Sequence, residues 1–395
     1  MIRRPYLALA AVAILAVSAC QPSDSPEPSG SPSASGAAES PGTSPEASAA
    51  LTTIRVQLPG PIDGEFAGYI AAQKLGYFSD DGLAVTLVPG DPNPATRAAD
   101  FYRPGVSGPQ FTVADVASVL GAREHRASDL VDIAQIFQRS GTVVLTWKKD
   151  AIADICGLKG KKVGLWAAPG DLEVNASLAT CPLTAGKDYT RVDIPPVATA
   201  TQGATSAFLA HAVDANEGLT YDTVAQVLEA INPATKLQYT PDDLSILPLT
   251  DRTATLQDAI FSSAAWLAQA GNRDVAQAFI RASVRGWVYC RDHQEDCVQF
   301  TTQAGAGLGT SHTRWMINEV NALIWPSPDG IGSLDPIQWR QTITVATQGG
   351  VISRDPDLTA YDDTIVPDAL AILAGKDLSS PDFQKVPVAV APGGK

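Results

Sequence analysis

Two short loops carry the residue types that could hold a small molecule. Residues 58–65 read Leu58-Pro59-Gly60-Pro61-Ile62-Asp63-Gly64-Glu65, and residues 166–173 read Trp166-Ala167-Ala168-Pro169-Gly170-Asp171-Leu172-Glu173. In both, small residues turn the chain between an apolar run and a helix-forming run, so the free N–H groups of a helix start are offered to an acceptor on a ligand. Asp63, Glu65, Phe66, Gly170 and Asp171 are therefore candidate contacts, and Trp166 either stacks on a planar ring or belongs to a core. Such residues recognise; they do not by themselves react. The sequence shows no phosphate loop, nucleophile elbow or HExxH segment. Its histidines, His125, His211, His293 and His312, are scattered and no cysteine pair has CxxC spacing, so neither a metal nor a cofactor is expected.

The elements that must position these loops follow from periodicity. Ile54, Val56 and Leu58 alternate with polar residues as in a half-buried strand, which Pro59-Gly60-Pro61 ends. Asp63 and Gly64 are candidate caps; Phe66, Tyr69 and Ile70 then fall at i, i+3 and i+4 of an amphipathic helix that Gly76 terminates. Residues 83–88 form a second apolar strand, stopped by Pro89-Gly90. Strand, helix, strand at this spacing predicts parallel pairing with a right-handed crossover, and ligands of such sheets lie beyond the carboxyl ends of the strands. The expected class is α/β, and the roughly 345 residues after position 50 are too many for one ordinary core, so two lobes are expected.

Glu65-Phe66-Ala67-Gly68-Tyr69-Ile70-Ala71-Ala72-Gln73-Lys74-Leu75-Gly76-Tyr77-Phe78, followed by Asp81-Gly82-Leu83 and Val85, resembles the opening of solute-binding proteins of ABC importers. Within that family it is most similar to the branch that binds thiamine-pyrimidine precursors, aliphatic sulfonates and related small molecules. Gly108-Pro109-Gln110-Phe111-Thr112-Val113-Ala114-Asp115 resembles a later strand and helix start of the family, departing from its pattern at Gln110 and Thr112. Leu158-Lys159-Gly160-Lys161-Lys162-Val163-Gly164 resembles its second-lobe signature, and Val213-Asp214-Ala215 with Thr220-Tyr221 another strand and loop. The resemblance implies a type II periplasmic-binding-protein fold, with lobe one from residues 51–147 and 250–378, lobe two from 148–249, and an interlobe ligand cleft closed by a hinge. It adds Ala114, Asp115, Gln138, Asn216, Glu217 and Tyr221 to the candidate contacts. Asp115 meets a ligand or caps its helix. Gln138, if buried, needs a partner, which a ligand or a backbone group would supply equally. Glu217 accepts from an amino or ammonium group, or forms a salt bridge at a strand end.

Ahead of the lobes, Arg3 and Arg4 precede an apolar run over 6–17 that is too short to span a bilayer with ease, and Val17-Ser18-Ala19-Cys20 follows. This resembles a bacterial lipobox: residues 1–19 are expected to be a signal peptide and Cys20 to carry diacylglycerol. Residues 21–50 hold Ser, Pro, Gly, Ala and Glu without one aromatic, a composition that cannot fold and reads as a tether. As a flexible coil it would reach on the order of 30 Å. Without the first nineteen residues the chain has 26 basic against 42 acidic residues, a formal −16, which argues against nucleic acid as a partner. Cys156, Cys181, Cys290 and Cys297 suit an oxidising compartment, and of three connectivities the local pairs, Cys156 with Cys181 and Cys290 with Cys297, are favoured. Residues 379–395 are expected to fade into a tail.

The expectation is a monomeric, lipid-anchored, extracellular binding protein that delivers a small solute to a membrane permease and, through it, to an ATPase. Heterocycles of the thiamine-precursor kind rank before sulfonate or nitrate-like anions, since Arg139 is the one evident cleft arginine. A sensory or structural surface protein is the alternative class. An enzyme is not expected, although a eukaryotic branch of the fold makes the thiamine pyrimidine, with a cysteine-rich motif and a donor histidine that this sequence does not show.

Overall fold

Apolar residues at alternate positions make strands of Thr52–Gln57 (β1) and Leu83–Val88 (β2), which pair in parallel from Thr52 opposite Leu83 to Gln57 opposite Val88. Between them Asp63 caps a short 3-10 turn, Gly64–Phe66, that runs into the helix Ala67–Lys74, and Gly76 adopts the left-handed conformation (φ 77°) that ends it. A computed structural model describes residues 50–90, 108–168, 170–195, 203–249, 253–305, 307 and 309–395. The expected signal peptide, Cys20 and the tether up to residue 49 lie outside the described residues.

The remaining strands are Phe111–Ala114 (β3), Leu130–Gln135 (β4), Thr142–Trp147 (β5), Lys162–Leu165 (β6), Thr190–Asp193 (β7), Ala215–Leu219 (β8), Leu244–Pro248 (β9) and Ala259–Ser263 (β10). Among the described residues they form two five-stranded sheets, ordered β2-β1-β3-β10-β4 and β7-β6-β8-β5-β9. Each sheet has one reversed strand, β10 in the first and β5 in the second. In both cases it is the strand that has just arrived from the other lobe. It therefore begins at the interlobe side, where the other strands of its sheet end. That rule decides which residues can face the cleft.

It also moves the lobe boundary. The first crossing lies at 138–141, because β5 is a member of the second sheet, and not after Trp147 as expected. β5 is buried along its whole length, so its apolar run fits either sheet equally well.

Lobe one is filled by aromatic contacts between its sheet and the long helix Asn272–Asp292. Phe111 stacks on Phe279 at 4.3 Å, and Tyr69 meets Trp287 edge-on at 5.6 Å. Gly68 and Gly286 let the two helices approach so closely that a Cβ on either would collide with Trp287 or with the facing backbone. In lobe two Trp147 stacks on Phe208 at 4.4 Å. Cys156 bonds Cys181 and Cys290 bonds Cys297, the two local pairs expected.

The segment after Leu378 is irregular, but it does not fade as expected. Lys385 pairs with Glu319 at 2.8 Å, and Val386 exchanges two backbone-to-amide bonds with Asn318 on the helix Thr310–Ile324. Further on, Val390 C=O accepts from Gln238 of lobe two and Ala391 N–H donates to Ser311 of lobe one. This terminal segment straps one lobe to the other.

Candidate functional site

The carboxyl ends of β1 and β3 and the start of β10 bring acidic side chains to one place. After β1, Asp63 turns its Oδ1 back to accept from Glu65 N–H at 3.0 Å, which fixes the loop and aims Glu65 across the lobe. Ahead of β10 stands Asp258, 8% exposed. The Glu65 carboxyl lies within interaction range of the Asp258 carboxyl and of the hydroxyl of Tyr221, which comes from lobe two just after β8. Two carboxyl groups brought this close raise each other's affinity for a proton. Tyr221 is buried among lobe-one side chains, edge-on to Phe137 at 6.4 Å, so the two lobes are shut at this point.

Burial and like charge act together here. Burial pushes Asp258 up to about 7, with the charge of Asp115 adding to it. Burial likewise raises Asp63 to about 7 against the opposing bond from Glu65 N–H. Glu65 is held well above the usual carboxylate range by desolvation and by the charges of Asp258 and Asp63, and Tyr221 well above the usual phenol range by burial and Glu65. Among the described residues, no lysine or arginine acts on Asp258. Arg139 is turned elsewhere, donating to the carbonyls of Leu323 and Pro326.

A second interlobe contact lies alongside. His312, on the lobe-one helix Thr310–Ile324, places Nδ1 2.7 Å from Glu229 and Nε2 3.2 Å from Asp222, both of lobe two. Burial works against its protonation, yet the bonds and charges of the two carboxylates prevail and push it up to about 10. Trp315, one turn on, donates its indole N–H to Thr220 C=O at 2.9 Å.

The crossings between the lobes are joined by a buried carboxyl as well. Glu173 accepts from Ser140 at 2.6 Å and from Thr255 N–H at 2.8 Å, so it touches both crossing segments, and burial raises it to about 7. Gln257 donates to Ser140 and Thr142 and accepts from Gly141 N–H.

The sequence candidates fall into three groups. Asp63, Glu65 and Tyr221 meet in the acidic centre, and Asp115 borders it while capping its helix through a 2.8 Å bond from Ser118 N–H. Trp166, Asp171 and Glu217 gather apart from it, around Arg191: Glu217 is fully buried and accepts from Trp166 N–H at 2.8 Å, while Asp171 pairs with Arg191 at 2.5 Å. Burial holds Glu217 well above the carboxylate range. Asn216 donates to Glu217 C=O, and Gly170 is exposed. The third group is internal. Phe66 and Ala114 lie in the two lobe-one cores, and Gln138 donates to the carbonyls of Gln135 and Ser333, so a backbone group takes the role left open for a ligand.

Sequence reasoning missed Asp258, Tyr69, Asp222, Glu229 and His312. The signal for Asp258 was present as a polar pair, Gln257-Asp258, directly before an apolar strand. Looking only beyond carboxyl ends hides it, because β10 runs the other way and meets the cleft with its amino end.

A family model described as NMT1/THI5 like matches residues 63–297. No curated protein matches the chain by sequence. Among solved structures the chain is similar to the periplasmic aliphatic sulphonate binding protein SsuA from Escherichia coli, at 14% identity and TM-score 0.56, covering 85% of this chain and 96% of that one. It is similar to the ligand-binding component of an ABC-type import system from Staphylococcus aureus with zinc bound, at 12% identity and TM-score 0.56, covering 81% and 99%. It is also similar to the desulfurization enzyme DSZB, at 14% identity and TM-score 0.54, again covering 81% and 99%. At such identities the likeness establishes the fold, the type II periplasmic-binding-protein arrangement of two α/β lobes. One fold thus serves both binding proteins and an enzyme, and the function must be argued from the site.

Proposed function

The chain belongs to the NMT1/THI5-like family, and on that premise we propose that it is the solute-binding protein of an ABC importer. It would close its lobes over a small nitrogen-rich heterocycle of the thiamine-pyrimidine-precursor kind and present it to a permease. The observation that carries this reading is Tyr221 of lobe two seated among lobe-one side chains, edge-on to Phe137 at the strand ends where Glu65 lies. A solute touching both sides favours the closed form by its differential contacts, which is all that a capture protein requires. All four described cysteines are in disulfides, so none of them offers a thiol nucleophile, and a binding role accounts for the site without covalent chemistry. Lipidation of Cys20 and the tether after it belong to the same proposal, holding a monomer near its permease at the outer face of the membrane.

A thermal-shift screen of the full-length protein against pyrimidine precursors, thiamine, flavins, nucleobases and sulfonates tests it. A ligand at a hundred times its dissociation constant adds about 2.7 kcal/mol to the native state, several degrees of midpoint. One chemical class should shift the midpoint and be recovered unchanged. Conversion of that ligand to a product would replace the receptor reading with an enzyme; no shift from any class would remove it.

A further inference from the structure

We infer that lobe two carries a second small-molecule site, at the end of its sheet farthest from the cleft, and that this site takes a planar organic carboxylate. The inference goes beyond the receptor reading and does not depend on it. β5 begins at the interlobe side and ends at Trp147, so the site lies the length of that strand, about 17 Å, from the first crossing. A cavity of about 300 Å³ opens there between the end of β5, the turn at His211 and the residues that lead into β9. That volume is at the lower end of what holds a small molecule.

Three rings stand at its wall. Trp147 is stacked on Phe208, which covers one face, and its ring centroid is 4.9 Å from that of Tyr239 and 5.0 Å from that of His211. The observation that points to an occupant is the indole N–H of Trp147. The residue is 3% exposed, and its Nε1 has no acceptor among the described residues. Buried donors are normally paired, so an orphan at the wall of a cavity marks where an acceptor would sit.

The charges select that acceptor. Lys149 holds its ammonium 6.0 Å from the centre of the Trp147 ring and makes no ion pair among the described residues. The other charged groups of the wall are engaged: Lys148 pairs with Asp242 at 3.1 Å, and Asp243 accepts from Thr240 N–H at 2.8 Å and from its hydroxyl at 2.9 Å. An ammonium and an indole N–H are thus left facing the cavity without an acceptor. A carboxylate serves both through charge-assisted bonds, and a flat ring behind it packs on the aromatic wall. An amine would leave the indole N–H unpaired and meet Lys149 as a like charge.

The test is nitrogen–proton NMR of the full-length protein titrated with benzoate, nicotinate and phenylacetate, with benzamide and benzylamine as the uncharged and cationic counterparts. Trp147→Phe removes one indole resonance and so assigns it. Lys149→Ala, at an exposed position beside the ring, displaces the same resonance and gives the assignment without touching the core. The carboxylates should move that resonance with saturation below about 10 mM, and Lys149→Ala should weaken them by about tenfold. Benzamide or benzylamine moving it as far as benzoate does overturns the ligand class, and unchanged affinity in Lys149→Ala overturns the recognition assigned to its ammonium. Shifts confined to other indoles, or none at all, overturn the site and leave the receptor reading as it stands.

Discussion

His312 with Asp222 and Glu229, and Glu65 with Asp258 and Tyr221, both join lobe one to lobe two, and they differ in one property. The first has a cation between its carboxylates; the second has none acting on Asp258 among the described residues. A buried charge that is paired on both sides fixes a geometry, whereas buried carboxyls without a counter-charge are held closed only conditionally. The comparison teaches that a latch between the lobes and the proposed ligand site are separate devices, although they are neighbours. One is paired on both sides, and the other leaves carboxyls facing one another.

The largest effect that would break this contrast is expected at the latch. Replacing His312 by Leu leaves Asp222 and Glu229 buried without their cation and should lower stability by about 3–5 kcal/mol in denaturant unfolding. An effect below 1 kcal/mol would make the latch incidental. The pH dependence follows from the raised value of His312, about 10 in the folded state. Its stabilisation is complete below the unfolded value of about 6.5, declines above that, and is lost as pH rises through about 10. His312→Leu should erase that part of the alkaline loss.

Cutting the strap is the next step down. Removing residues 386–395 takes away the bonds to Asn318, Gln238 and Ser311, and should cost about 2 kcal/mol while increasing the mean separation of the lobes in small-angle scattering. Unchanged scattering would show that the latch suffices alone.

The acidic centre should respond with the opposite sign. Asp258 is raised to about 7, so ionisation penalises the folded state as pH rises above the unfolded value of about 4, and the penalty is complete above about 7. Asp258→Asn should therefore stabilise the ligand-free protein by about 1–2 kcal/mol at pH 8, with the gain vanishing toward pH 4. Destabilisation at pH 8 would place a counter-charge at the pair. The smallest effect is expected from Lys385→Ala, at most about 0.5 kcal/mol, because its ammonium is half-exposed in the pair with Glu319.

Much of the fold was legible because its signals are local. The alternation in β1, the caps at Asp63 and Gly76, and the run of β2 each act within a few residues, and the structure places each where the pattern predicts. The local cysteine pairs were legible for the same reason. The site was legible only on the strands that run toward the cleft. Asp63, Glu65 and Tyr221 lie beyond carboxyl ends, but Asp258 precedes a reversed strand, and His312 reaches the seam from a helix far along the chain.

The sequence by itself determined two α/β lobes, the capped loop after β1 and the family, since periodicity, capping and motif spacing are properties of neighbouring residues. Only the tertiary structure decided which carboxyls face one another and which receive a cation. Glu65 and Asp258 are 193 positions apart, and His312 is 90 from Asp222. No local pattern can encode a charge balance between segments that meet only when two sheets, each with one strand reversed, face each other across a hinge.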